Sequence, residues 1–131
     1  MPVELTLLGF ATLLGAVHIF AAAHVRTRQY GVQWNMGARD EDLPPPEPIV
    51  GRLTRAQANF FETFPLFAAA LLGAVAAGRL GWKTEVGAHL YVWARLVYLP
   101  LYAAGIPKVR TAVFLLSFVG FGLVLAALLI G

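Results

Sequence analysis

Four stretches of this chain stay apolar for about twenty residues or more, roughly 3–25, 53–78, 83–104 and 108–130, and almost everything polar lies in one connection over 26–52. A helix needs about 20 apolar residues to cross a bilayer. The pattern therefore predicts one all-α membrane domain over residues 1–131, a four-transmembrane-helix antiparallel bundle with up-down topology. The first stretch is not a cleaved leader by pattern, because no basic region precedes it and its apolar run is too long. Within the connection, residues 31–52 form the sizeable loop, where Gly31, Gly37 and Pro44-Pro45-Pro46-Glu47-Pro48 break regular structure and favour a stiff extended path.

The polar residues that interrupt the apolar stretches carry more information than the stretches themselves. Arg55, Asn59 and Glu62 stand at i, i+4 and i+7 of the second helix and share one face. A charged side chain near the bilayer centre costs roughly 2.5 to 3.5 kcal/mol even on lenient insertion scales, so such a stripe needs partners or a purpose. Tyr91, Arg95, Tyr98 and Tyr102 form a second stripe on the third helix, spanning about 60° around its axis. Glu62 and Arg95 each lie about 13 Å from the same end of their antiparallel helices at 1.5 Å per residue, which predicts that they face each other. Pro65 predicts a kink in the second helix.

Gly105 and Pro107 mark the end of the third helix and the start of the last. Lys108, Arg110 and Thr111 then fall in a first turn whose free N–H groups, with an arginine and a hydroxyl, suit an anion. Other polar positions read more plainly. His18 and His24 do not share a helical face, so they read as internally bonded or interfacial side chains and not as a metal pair. Gly9 and Gly15 suit close helix approach. Arg26 and Arg28 suit snorkelling at the interface, and Asp40, Glu41 and Asp42 suit a solvated loop, lacking calcium-loop spacing.

Composition sharpens this picture. The chain is 59% hydrophobic and only 13% charged, too little charge for the surface of a soluble domain of this size. Its net charge of +3 and pI of about 9.7 come from basic residues clustered on the first and third connections, which by the positive-inside rule face the cytoplasm and leave both termini periplasmic. The basicity is thus a topological signal and no nucleic acid partner is expected. The chain contains no cysteine, so any thiol chemistry must use a sulfur brought by a small molecule. A cationic, hydroxyl-rich site with one carboxylate and amides suits a ligand with more than one carboxylate and an ammonium group, and glutathione has both along with a thiol.

Arg55-Ala-Gln57-Ala-Asn59-Phe-Phe-Glu62-Thr-Phe-Pro65-Leu-Phe, then Ala94-Arg95-Leu-Val-Tyr98-Leu-Pro-Leu-Tyr102, then Pro107-Lys-Val-Arg110-Thr111, resembles the MAPEG family, the membrane-associated proteins of eicosanoid and glutathione metabolism. The Ala38-Arg39-Asp40 loop with its prolines is similar to the bacterial branch. The resemblance implies a homotrimer of four-helix protomers in a bacterial inner membrane, with glutathione bound between protomers near the cytosolic face. Carried over by position, it implies that Arg26, Arg55, Gln57, Asn59, Glu62, Tyr98 and Tyr102 bind glutathione, while Arg110 with Thr111 beside it stabilises the thiolate. Arg28 is the rival of Arg26, because the first connection differs in length from that of mammalian members. The implied activity is a glutathione transferase or peroxidase acting on lipophilic electrophiles or lipid hydroperoxides. The alternatives are a non-enzymatic lipid-binding scaffold of the same family and, from a different class, a small transporter built on a Glu62–Arg95 relay.

Overall fold

Proline can open a helix because its missing N–H is one the first turn would leave unsatisfied, and glycine can close one by taking a left-handed backbone. Pro48 and Pro107 open two helices of this chain, and Gly105, at φ +75°, separates the third long helix from the last. The computed structural model describes all 131 residues and is entirely helical: α1 Val3–Tyr30, α2 Val32–Met36, α3 Pro48–Ala76, α4 Trp82–Ala103 and α5 Pro107–Ile130. Helices α1, α3 and α5 are long and apolar enough to cross a membrane. Helix α4 is long enough but less apolar, because His89, Arg95 and three tyrosines interrupt it.

Contacts at the helix ends set the directions. Thr84 Oγ1 at the start of α4 donates to Glu4 Oε2 at the start of α1 over 2.6 Å. Beside them Arg79 Nη1 donates to the Leu128 carbonyl at 2.8 Å and Lys83 Nζ to that of Gly131 at 2.7 Å, both at the end of α5. At the opposite end Arg52 Nη1 of α3 reaches the Ala103 carbonyl of α4 at 3.4 Å. So α1 and α4 run one way, and α3 and α5 the other.

The core forms where all four long helices meet, around Leu7, Ala11, Phe67, Leu71, Ala88, Tyr91 and Val124. Tyr91 shows how it is built: its ring stacks on Phe67 with centroids 4.0 Å apart, and its hydroxyl is shared with Thr63 Oγ1 at 2.9 Å, so a polar atom is buried with its partner. The α4–α5 seam is tighter still. A methyl group added to Gly87 would meet the Gly120 carbonyl oxygen at 2.5 Å, so these two glycines let backbone pack directly on backbone.

Several boundaries differ from the expected ones. Helix α1 runs past residue 25 to Tyr30, because nothing before Gly31 stops it; Arg26 and Arg28 are helical, not loop. Helix α3 starts at Pro48, a turn earlier than the apolar stretch, and continues through Pro65. The short α2 interrupts the predicted loop between Gly31 and Gly37. The proline-rich path after it is pinned to α1: Gln29 donates to the Pro45 carbonyl at 3.1 Å and accepts from the Glu47 N–H at 2.9 Å, while Tyr30 donates to the Pro44 carbonyl at 3.0 Å. Gly15 packs against Phe60 and Phe61 as a close-approach glycine should, but a methyl group added at Gly9 would meet no neighbouring helix.

Candidate functional site

The α4 stripe turns inward as its periodicity predicts: Tyr91, Arg95 and Tyr98 are buried and Tyr102 half-buried. Near the start of α5 this stripe meets the cations of its neighbours. Arg55 Nε of α3 donates to the Tyr102 hydroxyl at 3.3 Å. From α5, the Arg110 guanidinium carbon lies 4.4 Å from the Tyr102 ring centroid. One tyrosine therefore gathers two arginines from different helices, neither of which has a carboxylate partner within the chain. Such an arrangement concentrates positive charge and hydrogen-bond donors at a helix N-terminus, where an anion is stabilised.

One turn deeper sits a second cluster. Arg95 is completely buried, its guanidinium carbon 4.3 Å from the Tyr98 ring centroid and 5.4 Å from that of Phe60. Its Nη1 donates to Asn59 Oδ1 at 2.7 Å, while Nε and Nη2 have no partner. Tyr98 meets Tyr102 edge to face with centroids 5.5 Å apart, so the two clusters are contiguous.

The expected Glu62–Arg95 pair does not form. Arg95 bonds to Asn59 instead, and Glu62, one turn away on α3, is exposed. Residues three apart on a helix differ by about 60° around its axis, enough to swing Glu62 out of the seam. The Thr111 hydroxyl donates to the Pro107 carbonyl at 3.1 Å, within its own helix. Arg26 and Gln57 are half-buried and, like Glu62, take no part in either cluster. Nor do the site residues enclose a cleft within one chain: the roomiest groove, about 530 Å³, lies elsewhere, between α1 and α4, lined by apolar side chains such as Leu7, Phe10 and Trp93.

Two polar features escaped the sequence reading. Glu4 is buried against Thr84, a pairing between residues 80 positions apart that no local pattern signals. Arg52 is held against Gly105, where any side chain would meet its guanidinium at 2.8 Å. His18 behaves as an internally bonded histidine, with Nδ1 2.8 Å from the Leu14 carbonyl and its ring stacked on Phe60.

The MAPEG family profile matches residues 7–130, nearly the whole chain. The chain belongs to the MAPEG family. Compared with individually curated proteins it finds no significant match. Membership makes this a membrane protein of a glutathione-related transferase or synthase kind, and the MAPEG assignment fits a chain whose own residues supply arginines and tyrosines but no thiol.

Proposed function

We propose that this MAPEG protein is a glutathione-dependent transferase or peroxidase of a bacterial inner membrane, with four spans, periplasmic termini and a site opening to the cytoplasm. The convergence of Arg55 and Arg110 on Tyr102 carries the reading. Two cations without a carboxylate suit an anionic ligand, and the family uses glutathione.

Arg110 is the residue proposed to stabilise the thiolate. A free thiol has a pKa of about 8.5, and lowering it by about two units takes roughly 2.7 kcal/mol. A hydrogen bond from a charged donor contributes about 1.5 to 3 kcal/mol, so one arginine at a helix N-terminus is sufficient. Thr111 is not required for this step, since its hydroxyl faces the backbone. The thiolate then attacks an electrophilic carbon, forming the S–C bond as the leaving group departs, or attacks the terminal oxygen of a hydroperoxide, breaking the O–O bond so that the alcohol leaves and a glutathione sulfenic acid forms, which a second glutathione thiol converts to the disulfide with loss of water.

Glu62, Arg26 and Gln57 enter this reading through assembly. Glu62 is charged, exposed and well inside a helix long enough to span a membrane, a placement that is costly in lipid. A second copy of the chain packed on this face would cover it, in keeping with the homotrimer that the family resemblance implies and a glutathione held between protomers by Arg26, Arg55, Gln57, Asn59, Glu62, Tyr98 and Tyr102.

The test is conjugation of a model electrophile by the purified protein, with and without Arg110→Ala; equal rates would remove Arg110 from the mechanism. The apolar α1–α4 groove favours one second reading, a MAPEG scaffold that binds lipid without chemistry. Calorimetry showing a bound fatty acid and no bound glutathione would establish it instead.

A further inference from the structure

Arg95 lies behind the proposed ligand face. We propose that it is a positioning residue: it holds the Asn59 amide in one orientation, so that this point of the site presents N–H donors and recognises an acceptor oxygen of the ligand, a carboxylate or a peptide carbonyl. The inference rests on the glutathione reading and specifies what Asn59 does within it.

The geometry permits a single amide orientation. A guanidinium has only donors, so the Asn59 atom 2.7 Å from Arg95 Nη1 is the carbonyl oxygen. The opposite atom is therefore the NH₂ group, on the side of Asn59 away from Arg95. Turning the amide over would break this bond and aim two N–H groups at a buried cation whose Nε and Nη2 already lack acceptors. Asn59 Oδ1 is the only oxygen that Arg95 bonds to, and the rings of Tyr98, Phe60 and Phe114 lie around its guanidinium. The guanidinium is itself fixed, being 0% exposed and 4.3 Å from the Tyr98 ring. Asn59, by contrast, is only half-buried and lies a turn from Arg55 along α3, so its free NH₂ can join the donors gathered around Tyr102.

Asn59→Asp is the decisive variant, because it keeps the acceptor that Arg95 needs, now as a carboxylate, and replaces the outward NH₂ by an oxygen. Calorimetry on the purified full chain in detergent should show glutathione binding weakened about tenfold or more, as expected for a charge-assisted hydrogen bond turned into a repulsion. The melting temperature should hold or rise, and in turnover the loss should fall more on KM for glutathione than on kcat. Arg95→Met, which frees the amide to turn, should weaken binding with an intact asparagine present, and Arg95→Lys should restore part of it. Two glutathione amides, at the glycine carboxylate and at the γ-glutamyl carboxylate, separate the sources of the acceptor. The amide that weakens binding to the natural chain but not to Asn59→Ala marks the group read, and no such difference marks a peptide carbonyl. Unchanged affinity in Asn59→Asp overturns the proposal even if Arg95→Met fails to fold. If the natural chain binds no glutathione, the functional reading falls first and this inference with it.

Discussion

The two ends of the helical bundle differ in how far their polar residues find partners within the chain. At the end where α1 and α4 begin, Glu4 accepts from Thr84, Thr84 accepts from the Gly81 N–H at 2.9 Å, and Arg79 and Lys83 each donate to a carbonyl near the end of α5. Polar groups there close on partners inside the chain and tie helix ends together. At the end where α3 and α5 begin, Arg55 and Arg110 share a tyrosine, and halfway along α3 Glu62 stands exposed without a base beside it. Charge there is gathered but not neutralised. A charge taken out of water without its counter-charge carries a folding cost, which a ligand or a second subunit would relieve. The difference separates polarity that builds the fold from polarity that, on the function proposed above, is held for binding.

The sharpest way to break that comparison is Arg110→Ala. If Arg110 serves the thiolate, removing it costs about 2.7 kcal/mol of transition-state stabilisation, close to a hundredfold in kcat/KM at neutral pH. Raising the pH toward 9 should recover part of the loss, because more of the free thiol is then ionised. The melting temperature in detergent should fall little, since Arg110 contributes no ion pair within the chain and loses only its contact with the half-buried Tyr102 ring. A large drop in stability would move it to the structural class.

The mirror-image experiment at the other end is Thr84→Val. The change removes the donor to a buried carboxylate and the acceptor for the Gly81 N–H, and it should lower stability by about 2 kcal/mol. Conjugation per folded molecule should be retained, with chemical unfolding in detergent micelles as the measurement. Lost activity at unchanged stability would mean that the two ends are not separate in function.

How far these groupings were legible beforehand follows from the kind of signal each leaves. The tyrosine stripe of α4 and the first-turn cations of α5 were readable, because a period of 3.6 residues and a glycine–proline punctuation are local. The level of Arg95 was also right to within one turn, but depth along an axis does not fix direction around it, so Asn59 and not Glu62 receives the bond. The apolar run alone predicts that helix α1 ends at about residue 25, whereas a helix ends where backbone geometry changes, at Gly31 with φ +99°. The five residues of α2 are too few to show a period. Glu4–Thr84 and Gly87–Gly120 join distant residues, and a glycine inside a helix does not announce which neighbour it will meet.

The smallest expected effect is the most demanding of the distinction. Tyr102→Phe deletes the hydroxyl that Arg55 reaches at 3.3 Å but keeps the ring beside Arg110. A long hydrogen bond at a half-exposed position is worth about 0.5 to 1 kcal/mol, so glutathione affinity should fall only about threefold. The thiolate step should be untouched, because the ring that seats Arg110 is still present, and a pH–rate profile should show the same apparent pKa as the natural chain. A shifted pKa would mean that the hydroxyl and not the guanidinium meets the sulfur. Tyr102 would then act on the reacting atom itself, and Arg55, which holds that hydroxyl, would become its positioning residue.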